Sequence, residues 1–321
     1  SKPSTNDFKI AVVCALPVED VAIQAMFDVH YGKKDGLPIN VGNEEDKEDW
    51  NVYPGKIGDQ YVVMLRTRIG TDDASNGRAA LRREYKRITL VFVVGVCGGI
   101  PHYTHSVGQK VDVLLGDVVV SHQILAHDLR KQHHDHFTLQ EDPYPLRKLS
   151  RKVENFVEKR GVGKDYKLFK DHVTKIMDET AKTLEPDSQV SPQYLGADHD
   201  TLFEYDYNHP GGDDCSDCDP KKVVHRDRLG NSSIAPEIHF GTVASGNMVM
   251  KSGKDRDYLA LIAKKYKAKI VGFEMEGAGV DNQVLDVIVV KGVCDYADSH
   301  KNKDWQPYAA FVGAATFKAL V

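Results

Sequence analysis

The chain has 321 residues, 41% hydrophobic and 28% charged, with 42 basic against 47 acidic side chains and a formal net charge of -5. Values this close to average exclude a collagen-like, coiled-coil or globally disordered chain, and the slight acidity offers no general attraction for nucleic acid or anionic lipid. The longest apolar run, residues 90–97, is of strand length and far short of the ~18 residues that span a bilayer, so no membrane protein is expected.

The first residues, SKPSTNDFKI, lack the apolar stretch of a signal peptide, and a start at Ser1 reads as a trimmed cytoplasmic chain. Residues 9–16 form a Val-rich run expected to be a buried strand, and residues 18–28 carry helical periodicity. Residues 32–55, with Gly32, Gly36, Gly42 and Pro54, read as an exposed loop before a hairpin. Strand text follows at 61–65, a helix at 73–85, strands at 88–97 and 117–121, and a helix at 146–159. Residues 185–236 are polar and rich in Pro, Gly and Asp, and they read as an insertion because strand text resumes at Ile238. Strands at 238–244, 269–273 and 287–293 then alternate with helices at 255–266 and 307–320, the last with Pro307 in its first turn. Such alternation predicts one α/β domain over residues 1–321, a sandwich with a largely parallel sheet, carrying the insertion at about 185–236. Of the five cysteines, Cys14, Cys97 and Cys294 sit in strand text, where buried reduced thiols rather than disulfides are expected.

Ligands of open α/β sheets collect beyond the carboxyl ends of the strands. The text there is Ala15-Leu16-Pro17-Val18-Glu19-Asp20, then Gly95-Val96-Cys97-Gly98-Gly99, Ser245-Gly246-Asn247, Phe273-Glu274-Met275-Glu276-Gly277 and Cys294-Asp295-Tyr296-Ala297-Asp298. Three acidic segments and two glycine turns thus converge on one edge. Each has a structural reading as well: Glu19 and Asp20 would complement a helix dipole, Asp295 would cap a turn, and Met275 would fill core. Glu276 is the hardest to place so, because a carboxylate following a buried strand needs a partner.

In this order the segments resemble the nucleoside phosphorylase family, and within it the methylthioadenosine/S-adenosylhomocysteine nucleosidase branch. The text around Ser299-His300-Lys301-Asn302 and Trp305-Gln306-Pro307-Tyr308 is similar to a fungal subgroup whose phosphorylase-like domain heads longer regulatory proteins. The resemblance implies a three-layer sandwich with a central mixed, mostly parallel sheet. It also implies cleavage of a purine nucleoside, adenosine-type preferred, with no cofactor in the chemistry, in a cytoplasmic homo-oligomer, dimer or trimer. In that pattern Asp295 is the acid that protonates the leaving purine, helped to keep its proton by the nearby Glu276 and Asp298. Glu276 accepts from the ribose 2′ and 3′ hydroxyls, and Met275 packs on the sugar. Val96, Cys97, Gly98, Asn247 and Val249 surround the base, Val249 replacing the family's aromatic ring. Glu19 stands where nucleosidases activate water, whereas phosphorylases hold phosphate there with Gly and Arg, so hydrolysis is favoured.

Arg66 and Arg68 could meet an anion, either phosphate in a phosphorylase or the 5′ phosphate of a nucleotide, and His127 lies where the family borrows a residue near the 5′ end of the sugar. Cys215 and Cys218 have metal-knuckle spacing that His209 and His225 could complete as a structural zinc site, with a free or redox-labile dithiol as the alternative. His133, His134 and His136 read as a solvated loop in preference to a metal cluster. A non-catalytic nucleoside-sensing module is the rival of another class, and the presence of Glu19, Glu276 and Asp295 speaks against it.

Overall fold

The computed structural model describes residues 2–42, 49–104, 108–141, 146–212, 214–230, 235–280 and 284–321. The first half runs β1 (Ile10–Cys14), α1 (Pro17–Gln24), β2 (Val29–His30), β3 (Asn40–Gly42), β4 (Asp49–Ile57), β5 (Gln60–Arg66), α2 (Thr71–Glu84), β6 (Leu90–Gly99), β7 (His102–Thr104), β8 (Lys110–Asp112), β9 (Val118–Ala126), β10 (Arg130–Gln132), β11 (Phe137–Leu139) and β12 (Leu146–Lys148). The second half runs α3 (Arg151–Arg160), α4 (Gly163–Ala181), β13 (Ile238–Ser245), α5 (Gly253–Ala263), β14 (Ile270–Glu274), α6 (Gly277–Val280), β15 (Asp286–Asp295) and α7 (Gln306–Leu320).

The β-branched runs become strands because their side chains are buried on both faces, as in β6 and β15, where every residue after the first is buried. Parallel pairing joins β5 to β1, β1 to β6 and β6 to β15, while β9, β13 and β14 form a second parallel set. Antiparallel contacts of β15 with β9 and of β14 with β6 connect the two sets, so that β6, β15, β9, β13 and β14 close into a ring. The sheet is therefore mixed, as expected, with strand ends gathered around one opening.

Helix α7 is buried nearly all round and packs on β15 and β6, with α1 and α4 against it. Its backbone approaches so closely that a Cβ on Gly292 would lie 2.0 Å from the Ala309 carbonyl oxygen.

Two expectations need correction, and one helix is additional. Residues 146–159 are not one helix: Leu146–Lys148 pairs with β9, and the helix begins at Arg151 after Ser150. Residues 32–55 are not simply loop, because β3 and β4 pair with each other and β4 with β5, burying Trp50 and Val52; Glu44, Glu45 and Asp46 lie outside the described residues. The 19-residue α4 was not anticipated at all. Its buried face is the narrow stripe Phe169, Val173, Ile176 and Thr180, carried by an otherwise charged segment.

Among the described residues, 185–236 hold only short 3-10 turns and a single bridge between Phe203 and Val223. The segment is nevertheless pinned to the core by charge. Arg226 donates to the carbonyls of Pro101 (2.6 Å) and Val113 (2.7 Å), and Asp200 accepts from Leu115 N–H (2.9 Å) and the Tyr296 hydroxyl (2.7 Å). Arg228 pairs with buried Asp117, which also accepts from His239 at 2.8 Å.

Candidate active site

Helix α1 starts at Pro17, whose missing N–H costs nothing at this position, and this puts Glu19 in the first turn. Its carboxylate bends back to accept from the N–H groups of Ala15 (2.9 Å) and Leu16 (2.8 Å), as helix capping requires. The other oxygen reaches across to Val96 N–H on β6 at 2.8 Å. Gly95 makes this possible, since a Cβ there would stand 1.8 Å from Glu19 Oε1. Helix capping and fixation of a carboxylate beside β6 are thus one arrangement.

Lys291 is the residue that sequence reasoning missed. It is 1% exposed in the middle of β15, donates to Glu276 Oε2 at 2.8 Å and lies 3.6 Å from Glu19 Oε1. Burial would depress its ammonium, but Glu19, Glu276 and Glu274 outweigh burial and hold it well above the ordinary lysine value. The signal was available: a lone lysine inside a Val-rich buried strand must have a charged partner.

Glu276 also accepts weakly from Gly70 N–H (3.4 Å). Glu274, at the end of β14, accepts from the backbone N–H of Glu276 (2.9 Å) and of Gly277, and burial pushes its carboxyl up. These bonds set the turn that carries Met275 and Glu276 away from the strand. Asp295 ends β15, where its Oδ1 accepts from Ala297 N–H at 2.8 Å and its Oδ2 lies 3.3 Å from Lys301 Nζ. Ala297 adopts a left-handed φ of 53°, a strained conformation for a residue with a Cβ, and this returns its N–H to Asp295. Contrary to expectation, the group paired with Asp295 is Lys301. Asp298 instead accepts from His300 N–H (2.9 Å) and faces Arg256 (3.8 Å), while Glu276 is held by Lys291.

A cavity of about 380 Å³ unites these groups. Its walls are Glu19, Val96, Cys97 and Gly98 from the β1 and β6 ends, Glu274, Met275 and Glu276 after β14, and Lys291, Asp295 and Lys301 from β15 and beyond, with Val249 and His127 closing it. Burial lowers His127, whose enclosed Nδ1 has no hydrogen-bond partner among the described residues and lies 3.8 Å from Asp128 Oδ1. Val249 is 45% exposed at the rim. Burial pushes the Cys97 and Cys294 thiols up, so both behave as small apolar groups.

Other predicted residues lie elsewhere. Asn247 does not line the cavity: its Oδ1 accepts from Thr71 N–H (2.8 Å) at the start of α2. Arg66 and Arg68 do not line it either, since Arg66 pairs with Asp20 at 3.0 Å and Arg68 sits on the exposed turn before α2. His133 and His136 stack at 4.5 Å on the exposed β10–β11 hairpin. Of the four residues expected to form a zinc set, His209, Cys215 and Cys218 bring donor atoms within 4.8 Å of one another. His225 does not join them; it is 86% exposed and faces Asp227 at 3.3 Å. A larger groove of about 1180 Å³ over Tyr103, Tyr166, Arg228 and His239 contains none of the predicted site residues.

The family model of the phosphorylase superfamily matches residues 9–174. A nucleotide-binding leucine-rich repeat (NLR)-like protein of Hyaloscypha variabilis is 31% identical over 98% of the chain, which spans only 29% of that protein's length. Among solved structures, the futalosine hydrolase of Helicobacter pylori aligns with a TM-score of 0.56 at 15% identity, covering 98% of this chain and 97% of that one. The 5′-methylthioadenosine/S-adenosylhomocysteine nucleosidase of Neisseria meningitidis, in complex with methylthio-immucillin-A, aligns at 0.54 and 15% identity, covering 97% of each chain. The corresponding nucleosidase of S. pneumoniae, with the transition-state inhibitor MT-ImmA, gives 0.54 and 15% over 98% of each chain. At such identities the structural likeness is one of fold.

Proposed function

The chain belongs to the phosphorylase superfamily, and from that premise we propose that it is a purine nucleoside N-ribosyl hydrolase acting on adenosine-type nucleosides. The observation that carries the reading is the buried chain Glu19–Lys291–Glu276 in the same cavity as Asp295. Cleavage of the N-ribosidic bond passes through an oxocarbenium-like ribose, which needs an acid for the leaving base and a base for water. Asp295 Oδ1 accepts from Ala297 N–H, and Oδ2, which faces Lys301 at 3.3 Å, is the oxygen that would exchange that ion pair for a proton and deliver it to N7 of the purine as the C–N electron pair departs with the base. Water then bonds to the anomeric carbon and gives its proton to Glu19. Glu276 accepts from the ribose hydroxyls, and Lys291 positions both glutamates.

Hydrolysis is preferred to phosphorolysis because, among the described residues, no arginine lines the cavity, and Glu19 would repel phosphate at the nucleophile's place. The test is a purine nucleoside panel with and without phosphate, with Glu19→Gln alongside wild type. Free sugar, indifference to phosphate, and a Glu19→Gln defect in kcat far larger than in KM are expected. Obligatory phosphate with a sugar 1-phosphate product, or a fully active variant, defeats the reading. A nucleoside-sensing role is favoured by one observation, the likeness to part of a much longer NLR-like protein. In that reading nucleoside binds without turnover.

A further inference from the structure

Among the groups that nucleoside cleavage leaves unused, the most chemically pointed cluster lies on the insertion. The Sγ atoms of Cys215 and Cys218 and a ring nitrogen of His209 lie within 4.8 Å of one another. A tetrahedral zinc with Zn–S of about 2.3 Å and Zn–N of about 2.0 Å holds such donors roughly 3.6–3.8 Å apart, so a contraction of about 1 Å closes the set. The surroundings suit a ligating imidazole: His209 Nε2 lies 2.9 Å from the Asp214 carbonyl oxygen, and that backbone bond fixes the tautomer. Nδ1 accepts from Gly211 N–H at 3.1 Å, and its one lone pair would exchange that bond for the metal.

A second observation is independent of the first. His300 is 9% exposed, its ring lies 5.3 Å from that of His209, and among the described residues neither of its buried ring nitrogens has a hydrogen-bond partner, Asp298 Oδ1 standing 3.8 Å from Nδ1. It is held in place by stacking on Phe203 (4.1 Å) and Tyr207 (5.3 Å). A buried imidazole without a hydrogen bond is unfavourable, and a metal would satisfy it.

We propose that His209, Cys215 and Cys218 bind one zinc ion, with His300, whose nitrogens lie outside that 4.8 Å set, moving in to supply the fourth donor. Two thiol protons leave to solvent as the thiolates form. The metal would staple the insertion to the segment after β15, where His209 N–H already donates to Ser299 Oγ at 3.0 Å. It takes no part in the chemistry of Asp295, so its presence can be judged without any nucleoside assay.

The experiment is elemental analysis of the whole chain purified under reducing conditions, followed by titration of the zinc-stripped protein with Co(II). About one zinc per chain and a tetrahedral Co(II) spectrum with thiolate charge-transfer bands are expected. Both should be lost in Cys215→Ser and Cys218→Ser, weakened at least tenfold in affinity in His209→Ala and His300→Phe, and retained in His225→Ala. Circular dichroism identifies any variant that has unfolded, and thiol labelling of wild type with and without zinc gives a reading free of mutation. Reduced wild type that holds no zinc, shows no Co(II) bands and labels equally fast with and without zinc overturns the site. Unchanged metal affinity in folded cysteine variants does so too, and an unchanged Co(II) spectrum in His300→Phe overturns the four-ligand form.

Discussion

Replacing Lys291 by Met keeps most of the unbranched stem and removes the terminal ammonium, with its charge and its hydrogen bond to Glu276. Glu19 and Glu276, 1% and 4% exposed, would then face each other with no cation between them. Removing one partner of a buried ion pair typically costs about 3–5 kcal/mol, since the charge left behind has neither water nor counterion. For a chain of this length, with an unfolding entropy of about 2 cal/mol/K per residue, that loss lowers the melting midpoint by roughly 5–8 °C. The pH dependence has a definite sign. One acid can relieve the uncompensated charge by taking up a proton in the folded state that the unfolded chain does not bind, and stability rises with falling pH wherever the folded state binds more protons. The deficit of Lys291→Met should therefore shrink between pH 8 and pH 5, and Lys291→Arg should restore most of the stability. Urea unfolding of the three proteins across that range is the assay. A Lys291→Met protein as stable as wild type at pH 8, or a deficit constant with pH, would show that Lys291 is not the counterion of these two acids.

Asp295→Asn, which cannot deliver a proton, should lower turnover of purine nucleosides by roughly 10²–10⁴-fold with little change in stability; a near-normal rate in the folded variant removes Asp295 from the mechanism. Glu276→Gln should blunt discrimination between ribosides and 2′-deoxyribosides, measured as the ratio of their kcat/KM values, and an unchanged ratio assigns Glu276 to structure alone. Burial pushes the Asp117 carboxyl up, but the bonds from His239 and Arg228 win and bring it down to about 2. Its contribution of about 2 kcal/mol should thus be present above pH 4 and lost as the pH falls toward 2. Acid unfolding of Asp117→Asn should be flatter over that window, and parallel curves for variant and wild type would contradict this.

The buried strands were legible because they are read from period and β-branching alone, and β1, β6 and β15 need no distant partner to be recognised. Glu19, Glu276 and Asp295, singled out because each follows a strand, line one cavity. What could not be read locally was pairing. Nothing near Arg66 in sequence announces that Asp20 takes it, and Asn247 faces Thr71 N–H because of how α2 docks. Asp298 adjoins Asp295 in sequence text yet turns toward Arg256, since the left-handed Ala297 reverses the chain between them. Helix α4 escaped notice because few apolar residues mark its inward face, and its burial depends on α7 more than a hundred residues later.

The ring of strands also bears on the order in which the protein can form. Its closure joins Leu90 to Asp286 and Gly99 to Gly272, contacts that must wait until most of the chain has been made. Loops of that length close slowly, so a chain emerging from the ribosome would hold β1, β5, β6 and β9 for some time with β6 exposed along the side that β15 later covers. Unpaired strands of this kind invite pairing with other chains. Residues 9–174 contain Glu19 and β6 but none of β13, β14 and β15, so a fragment of that extent would expose the Val-rich strands while lacking Lys291, Glu276 and Asp295. Assembly of the candidate site and the covering of β6 would thus arrive together, once β15 is in place.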